Sequence, residues 1–399
     1  MTEVINAEPV TTTDQLKKKR LSSLDALRGF DMFWIMSGEH IIHALAKVTG
    51  LPLLLWMSSQ LHHTDWHGFT FYDMIFPLFL FVSGVSLPYS VSSKMIRDSR
   101  GRMVVPAENK KILYRSMLRR TLTLILLGMI VNGLLKLNSY EETRFASVLG
   151  RIGLAWFFAC LIYLNSGLRG QLIWVIAILL GYWAIMMLVP VPGFGAGSLT
   201  PEGALSSYFD RLFLPGKLHN GVFDPEGLLT TVPSVATAML GVFCGSFLQS
   251  TSFKLKRGPI QLKDVQKGLV LLAAGLLLLA IGYAWGLVFP INKRLWTSSF
   301  VLVAGGWSAI LLSLFFMVID VAGWRKWAIP FIWVGSNSIL IYMCAEGLVN
   351  FGSTAAFLFG GTVNLLPPEW QPSGTAISVT LVQLLLLWIL YRKKIFLKI

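Results

Sequence analysis

Long apolar segments that alternate with short polar linkers form the dominant pattern of the chain. A helix needs roughly 17–25 mostly apolar residues to cross a bilayer. The segments that approach or meet this length are residues 24–48, 69–92, 121–137, 148–164, 171–189, 228–248, 268–289, 297–318, 329–351 and 373–390. We therefore predict an all-α, polytopic integral membrane protein, folded as a helical bundle of about ten transmembrane helices.

The residues before the first apolar segment are polar and end in a Lys-Lys-Lys-Arg run without a small-residue cleavage site. This pattern is typical of a cytoplasmic tail and not of a cleaved signal peptide. We expect residues 1–20 to form that tail and residues 21–399 to form a single transmembrane domain.

The distribution of charge orients the predicted helices. With 54% hydrophobic residues, 14% charged residues and a mean hydropathy of +0.64, the composition excludes an ordinary soluble protein. Most of the Lys and Arg residues behind the net charge of +14 lie in alternate linkers, as in residues 94–120. This is the positive-inside pattern, so we expect an inner or plasma membrane, cytoplasmic N- and C-termini and no nucleic-acid partner.

The first apolar segment is unusually polar for a transmembrane helix. Ionisable groups are costly in lipid, so they usually face a bundle interior or a wet cavity. Glu39 and His43 are four residues apart and share one helical face. The segment is therefore predicted to line a functional cavity with its charged and imidazole side chains, which are Asp25, Arg28, Asp31, Glu39, His40 and His43.

A histidine-rich stretch, residues 60–77, stands just ahead of the second apolar segment. It holds His62, His63 and His67, and Asp73 lies at the mouth of the segment. Histidine is the side chain best suited to move protons near neutral pH. We predict a catalytic centre here, with Asp73 orienting His63 if the loop folds back.

A metal site is the competing interpretation of the same stretch. The side chains that supply nitrogen and oxygen ligands are His40, His43, His62, His63 and His67, together with Glu39 or Asp65. Their spacing matches no known zinc motif. The three cysteines, Cys160, Cys244 and Cys344, each lie in an apolar segment and form no CxxC pair. We therefore expect no metal and no disulfide framework.

Six short motifs, in order along more than 300 residues, make the chain similar to a known family. They are Ser23-Leu24-Asp25-Ala26-Leu27-Arg28-Gly29, His63-x-x-Trp66-x-Gly68 with Asp73-x-x-Phe76-Pro77, Val148-Leu149-x-Arg151-Ile152-Gly153, Phe223-Asp224-Pro225-Glu226-Gly227, Asn292-Lys293-x-Leu295-Trp296 and Gly335-x-Asn337-Ser338-Ile339-Leu340. In these residues the chain resembles the catalytic region of heparan-α-glucosaminide N-acetyltransferases, within the transmembrane acyltransferase superfamily, as a bacterial-type member.

The resemblance implies a transmembrane acyltransferase-like fold and an acetyl-CoA-dependent N-acetyltransferase. Such an enzyme moves an acetyl group from cytosolic acetyl-CoA across the bilayer to an amino sugar, or another glycan acceptor, on the outer face. The family's active histidine corresponds to His63, which acts either as a general base or as a nucleophile. This chain departs from the family at Glu39, where the family has asparagine, and at Ala345, where it has histidine. The acceptor, and N- against O-acylation, therefore stay open.

The candidate site residues fall into three groups. Catalysis is assigned to His63, Asp73 and Glu39. Binding of the acyl donor, acetyl-CoA, is assigned to the basic residues Arg151, Lys293, Arg119 and Arg120, which can hold its phosphates, and to Asn292, Asn337 and Ser338 as a polar cavity lining. Contact with the acceptor is assigned to His62, Trp66, His67, Asp224 and Glu346. Positive-inside topology also accounts for Arg119 and Arg120, and helix–helix hydrogen bonding also accounts for Asn337 and Ser338.

A transporter of solutes or protons is the alternative function, because a polar first helix also suits a permeation path. The partners expected of the enzyme are acetyl-CoA, the glycan or amino-sugar acceptor and the lipid bilayer, and a homodimer stays open.

Overall fold

A computed structural model describes residues 21–97, 103–250, 253–255 and 258–397, so the predicted tail at residues 1–20 lies outside the described residues. Helices dominate these ranges. They are α1 (Ser22–Phe33), α2 (Glu39–Thr49), α3 (Pro52–Gln60), α4 (Phe71–Ser92), α5 (Ala107–Val131), α6 (Val148–Asn165), α7 (Leu168–Leu188), α8 (Leu205–Phe213), α9 (Leu228–Gln249), α10 (Asp264–Gly286), α11 (Ser298–Phe315), α12 (Ile329–Ser336), α13 (Ser338–Met343), α14 (Phe351–Asn364) and α15 (Gln371–Arg392).

Two very short antiparallel strand pairs lie in linkers between helices. Strand β1 (Ile96–Arg97) pairs with β2 (Met103–Val104), and β3 (Phe253–Leu255) pairs with β4 (Gly258–Ile260). Neither pair joins a larger sheet in the described part of the chain. The predicted all-α, polytopic bundle is confirmed.

The number of spans is lower than predicted when helix length and apolar composition are the criteria. Within the described ranges, seven helices are long and apolar enough to span a bilayer. The count becomes eight if the bent pair Lys326–Ser336 and Ser338–Leu348 is taken as one span. The predicted first span is helical but is divided by a π-helical turn, Trp34–Gly38, between α1 and α2. The predicted third span begins earlier, because the basic residues ahead of position 121 continue the helix back to Ala107.

The predicted ninth span is not straight. It bends by 70° between Ser336 and Ser338, where α12 gives way to α13. The residues at the break are Gly335, Ser336 and Asn337, and glycine, serine and asparagine all have weak helix propensity. The break places a polar amide inside the bundle, where a continuous apolar helix had been predicted.

Helix α4 lies at the centre of the bundle, and glycines let its neighbours approach closely. A Cβ on Gly241 of α9 would lie 2.0 Å from the carbonyl oxygen of Phe81, and one on Gly84 would lie 2.0 Å from that of Ala238. The same contact joins α1 to α12, where a Cβ on Gly335 would lie 2.0 Å from the carbonyl oxygen of Asp25. Small residues at such crossings are typical of packing between membrane helices.

Helix α4 also sets the distance between two chemically different regions. Its N-terminus is fixed by a capping box between Thr70 and Asp73. Its 22 residues span roughly 33 Å at about 1.5 Å per residue. We call the end that holds His63, Asp73 and Lys293 the histidine end, and the end that holds Lys94, Arg119 and Arg120 the basic end.

The glycine crossing of α4 and α9 gives a test of this packing. Gly241→Ala is expected to lower the thermal stability of the purified protein, because the backbones must separate. The matched change is Gly181→Ala on α7, where an added Cβ meets nothing within 4 Å. It should be neutral or stabilising, by up to about 1 kcal/mol of helix propensity. Unfolding temperatures in detergent would measure both; equal effects would contradict the close crossing.

Candidate functional site

The loop between α3 and α4 folds back onto α4 and joins His63 to Asp73. The Nδ1 atom of His63 lies 2.8 Å from Oδ1 of Asp73. Because a carboxylate only accepts hydrogen bonds, Nδ1 carries the proton and Nε2 is left as the basic nitrogen. The predicted contact between these residues is therefore present.

Asp73 is held in place by its other oxygen. Its side chain is 1% exposed. Its Oδ2 accepts hydrogen bonds from the main-chain N–H groups of Thr64 and Thr70, at 3.3 and 3.2 Å, and from both threonine hydroxyls. A buried carboxylate with this many donors stays charged and fixed. It can hold the His63 imidazole in one tautomer and one orientation.

Lys293 brings a cation to the same pair from the loop between α10 and α11. Its Nζ lies 3.2 Å from Nδ1 and 3.3 Å from Nε2 of His63, and 3.7 Å from Oδ1 of Asp73. Burial lowers the pKa of Lys293 to about 8, although the negative charge of Asp73 opposes the shift. Sequence reasoning assigned Lys293 to the donor, and the structure places it against His63.

Glu39 reaches the site through Tyr72. The Tyr72 ring packs against the His63 imidazole with centroids 4.7 Å apart, and Glu39 interacts electrostatically with Tyr72. Glu346, beyond the bend in the ninth span, interacts electrostatically with Glu39 and with Glu226. The predicted residues Glu39 and Glu346 therefore add negative charge around His63 without touching it.

Two more residues of the histidine loop are fixed by neighbouring segments. The amide of Asn292, which is fully buried, donates to Nδ1 of His67 at 3.3 Å. Burial lowers the pKa of His67, which favours the neutral ring. Trp66 donates from its indole nitrogen to the carbonyl oxygen of Leu199 at 2.7 Å. These contacts anchor the loop within the protein, which is a different role from the donor and acceptor contacts predicted for Asn292, His67 and Trp66.

Two further histidines, His43 and His62, stack with each other. The rings of His43 and His62 lie 4.3 Å apart and nearly parallel, and Nδ1 of His43 lies 2.7 Å from the hydroxyl of Ser58. Over the described residues, no three His, Cys, Asp or Glu side chains are arranged to hold a metal ion.

Asp224 and Arg151 both fix the loop that precedes α9. Asp224 is fully buried and receives two hydrogen bonds from Arg144, at 2.8 and 2.6 Å. Although burial opposes it, Arg144 holds the pKa of Asp224 below its usual value. Arg151 donates to the carbonyl oxygen of Pro225 and to the hydroxyl of Thr230. The structure thus gives protein partners to two residues that were predicted to contact acceptor and donor.

Two adjoining cavities open between the helices toward the basic end. The larger, about 570 Å³, is lined by Lys94, Arg119 and Arg120. The smaller, about 280 Å³, is lined by Arg28, Arg120 and Ser338. The guanidinium of Arg120 lies over the Trp156 ring, 4.1 Å from its centroid, and its buried Nε has no hydrogen-bond partner. The predicted donor residues Arg119, Arg120 and Ser338 therefore line one region.

A narrow space of about 20 Å³, lined by Phe76 and Tyr342, continues from these cavities toward the histidine end. It shares lining residues with the 280 Å³ cavity, namely Phe79, Leu149, Ile152 and Ile339. Phe76 is three residues from Asp73 and so lies on the same helical face, one turn away. Neighbouring spaces share lining residues, so the three follow one another from the basic residues to Phe76, one helical turn from Asp73.

Asn337, at the bend of the ninth span, anchors the segment that follows α15. Its amide donates to the carbonyl oxygen of Ile395 at 3.0 Å and accepts from the main-chain N–H of Leu397 at 3.0 Å. Leu397 lines both larger cavities. Asn337 therefore contributes to the cavity wall through Leu397 and not through its own side chain.

The predicted site residues thus divide between two places joined by the line of cavities. Three residues that sequence reasoning did not select also belong to these places: Tyr72, Arg144 and Trp156. Arg28, which was predicted to line a cavity, lines the smaller one. Tyr72 lies five residues after the last histidine of the loop. In the sequence, the position of Arg144 near two glutamates was the only sign of its role, because its partner Asp224 is 80 residues away along the chain.

Comparisons with known proteins agree on one family. The family model described as "Heparan-alpha-glucosaminide N-acetyltransferase, catalytic" matches residues 20–275. The chain is 30% identical, over 387 residues, to heparan-alpha-glucosaminide N-acetyltransferase of Homo sapiens, with 84% of this chain and 55% of the human protein covered. It is 27% identical to the Mus musculus protein over 395 residues, with 84% and 56% covered. The chain therefore spans about half the length of the curated relatives it matches.

The buried pair of Arg144 and Asp224 gives a test of how the site is held. Asp224→Ala removes one partner of a buried pair, so it should destabilise the protein by about 3 kcal/mol. The control is Asp264→Ala, because Asp264 is 55% exposed and lies 3.9 Å from Lys267. Asp264→Ala should destabilise the protein by less than about 1 kcal/mol. Thermal unfolding in detergent compares the two; a smaller loss for Asp224→Ala would contradict a structural role.

Proposed function

Because the chain belongs to the heparan-α-glucosaminide N-acetyltransferase catalytic family, we propose that it is a membrane acetyltransferase. It transfers an acetyl group from acetyl-CoA to the amino group of a sugar. The observation that carries this proposal is the contact of His63 with the buried Asp73, which leaves Nε2 of His63 as the basic nitrogen. A general base must face the proton that it removes, and this pair fixes the direction in which Nε2 points.

The cavities at the basic end support acetyl-CoA as the donor. Its phosphates need cationic and hydroxyl donors, and the cavity walls supply Arg28, Arg119, Arg120 and Lys94. Together the two larger cavities fall within the roughly 300–1,000 Å³ typical of ligand sites. The narrow space beside Phe76 and Tyr342, of about 20 Å³, has room for about one water molecule. It must therefore widen for the acyl-bearing arm to bring the thioester close to His63.

The carboxylates around His63 support an amine as the acceptor. Glu39 and Glu346 interact electrostatically with each other, and their charges would attract an ammonium group. Glu226 is instead paired with Arg144. Glu39 replaces the asparagine of the family, so this chain carries one more negative charge there. The curated relatives are named for a glucosaminide acceptor, and an amino sugar is therefore the acceptor class that we propose.

The proposed reaction uses His63 as the general base. As the amine attacks the thioester carbon, the new C–N bond forms and the C–S bond breaks. Nε2 of His63 takes the proton from the amine and passes it to the departing thiolate. The Lys293 ammonium, 3.3 Å from Nε2, stabilises negative charge on the thioester oxygen.

The direction of transfer follows from the separation of the two ends. The basic end faces the cytoplasm by the positive-inside rule, together with the N- and C-termini, and acetyl-CoA enters there. The histidine end faces outward and receives the acceptor. The enzyme thus works in an inner or plasma membrane and moves the acetyl group, not the whole donor, across it.

A solute transporter is the second candidate, because the same line of cavities also resembles a permeation path. Acetylation of an amino sugar by purified protein in detergent favours the enzyme. Solute flux into liposomes without acetyl-CoA favours the transporter.

Removing the imidazole is the first test of the proposed function. His63→Ala should lower turnover of acetyl-CoA and an amino sugar by at least about 100-fold, the usual contribution of a general base. His40→Ala, which removes a ring that is 66% exposed, is the matched control and should retain activity. The account fails if a monodisperse His63→Ala protein keeps wild-type turnover.

The second test uses the pKa of Lys293, which burial lowers to about 8. If the ammonium form stabilises the oxyanion, kcat/KM should fall as the pH rises through about 8. Arginine remains charged in this range, so Lys293→Arg should lose that alkaline decline, although its rate is lower overall. Titration of the acceptor amine is common to both proteins. Identical pH profiles for the two proteins would exclude this role for Lys293.

A further inference from the structure

Lys293 places a primary amine against the same histidine that the proposed reaction uses. Its Nζ is 3.3 Å from Nε2 of His63, the nitrogen that removes the proton from the acceptor amine. The side chain is 19% exposed and Asp73 lies 3.7 Å from the same Nζ. A lysine and an amino sugar both carry a primary amine that attacks a thioester in its neutral form. Without acceptor, Lys293 thus occupies the position that the acceptor amine must take.

We propose that Lys293 is a self-acetylation site, modified by the protein's own acetyl donor when no acceptor is bound. This inference rests on the proposed function. The Nζ atom attacks the thioester carbon, a C–N bond forms, the C–S bond breaks, and CoA leaves as the thiol. His63 takes the proton from Nζ and returns it to the thiolate, so the products are acetyl-lysine and CoA.

Acetylation of Lys293 would inactivate the site. An acetylated lysine carries no charge, so the oxyanion loses its cation. The amide also remains beside His63 and occupies the space that the acceptor amine needs. A bound acceptor takes the acetyl group in place of Lys293 and so protects the lysine, whose ammonium stays beside Nε2. The ratio of donor to acceptor would then set the fraction of active protein.

The electrostatic setting agrees with this reactivity. Only the neutral form of an amine is nucleophilic, and burial lowers the pKa of Lys293 to about 8. A useful fraction of the amine is therefore neutral just above neutral pH. Self-acetylation should rise with pH over the range in which sugar acetylation falls, because the two processes need opposite protonation states of Lys293.

The test is to incubate purified wild-type protein with acetyl-CoA alone and to map acetyl groups by mass spectrometry after a hydroxylamine wash. The wash removes acetyl-imidazole but leaves the stable amide on lysine. We expect acetylation of Lys293 with a parallel loss of activity, and an amino sugar present from the start should prevent both. Acetylation should fall by at least about 100-fold in His63→Ala, the range for a general base.

Lys47 and Lys217, both exposed, are internal controls in every sample. They report uncatalysed acetylation and should be equal in wild type and His63→Ala. Three outcomes overturn the proposal. In the first, the protein acetylates an amino sugar and Lys293 stays unmodified, so the proposed function stands alone. In the second, Lys293 is acetylated at the rate of Lys47 and Lys217. In the third, neither the sugar nor Lys293 is acetylated, and the proposed function falls as well.

Discussion

The hydrogen bond between His63 and Asp73 is the interaction on which the rest of the site depends. A carboxylate buried at the start of a membrane helix is stable only if its charge is compensated. Here the compensation comes from two threonines, from the imidazole and from Lys293. Asp73 also caps α4. The position of the imidazole is therefore tied to the position of the central helix.

The bundle fixes the distance between the His63 imidazole and the cationic region at the basic end. Helix α4 begins beside His63, and its other end reaches the cavities lined by Lys94 and Arg120. Glycine crossings with α9 keep the neighbouring backbones close. Two larger cavities and the narrow space beside Phe76 lie along this path. A long donor bound in the larger cavities would reach His63 once the narrow space widens.

Sequence alone predicted the helical bundle and the contact between His63 and Asp73, because both depend on local signals. Apolar length predicts most spans, and the ten residues between His63 and Asp73 are close enough for a loop to fold back. Contacts distant in sequence were not predictable. Asp224 pairs with Arg144, Asn292 holds His67 and Asn337 holds the segment after α15. The sequence analysis selected all three residues as candidate site residues. A polar group in such a chain needs a partner, and the sequence does not show which partner each residue has.

Replacement of Asp73 by asparagine is the most direct test of the account. The amide has nearly the same shape but can donate to Nδ1, so the imidazole loses its fixed tautomer. The account predicts that Asp73→Asn still binds acetyl-CoA and unfolds cooperatively, while its turnover falls by at least about 100-fold. Asp65→Asn, in the exposed part of the same loop, should keep wild-type turnover. Full turnover by a folded Asp73→Asn protein would contradict the account.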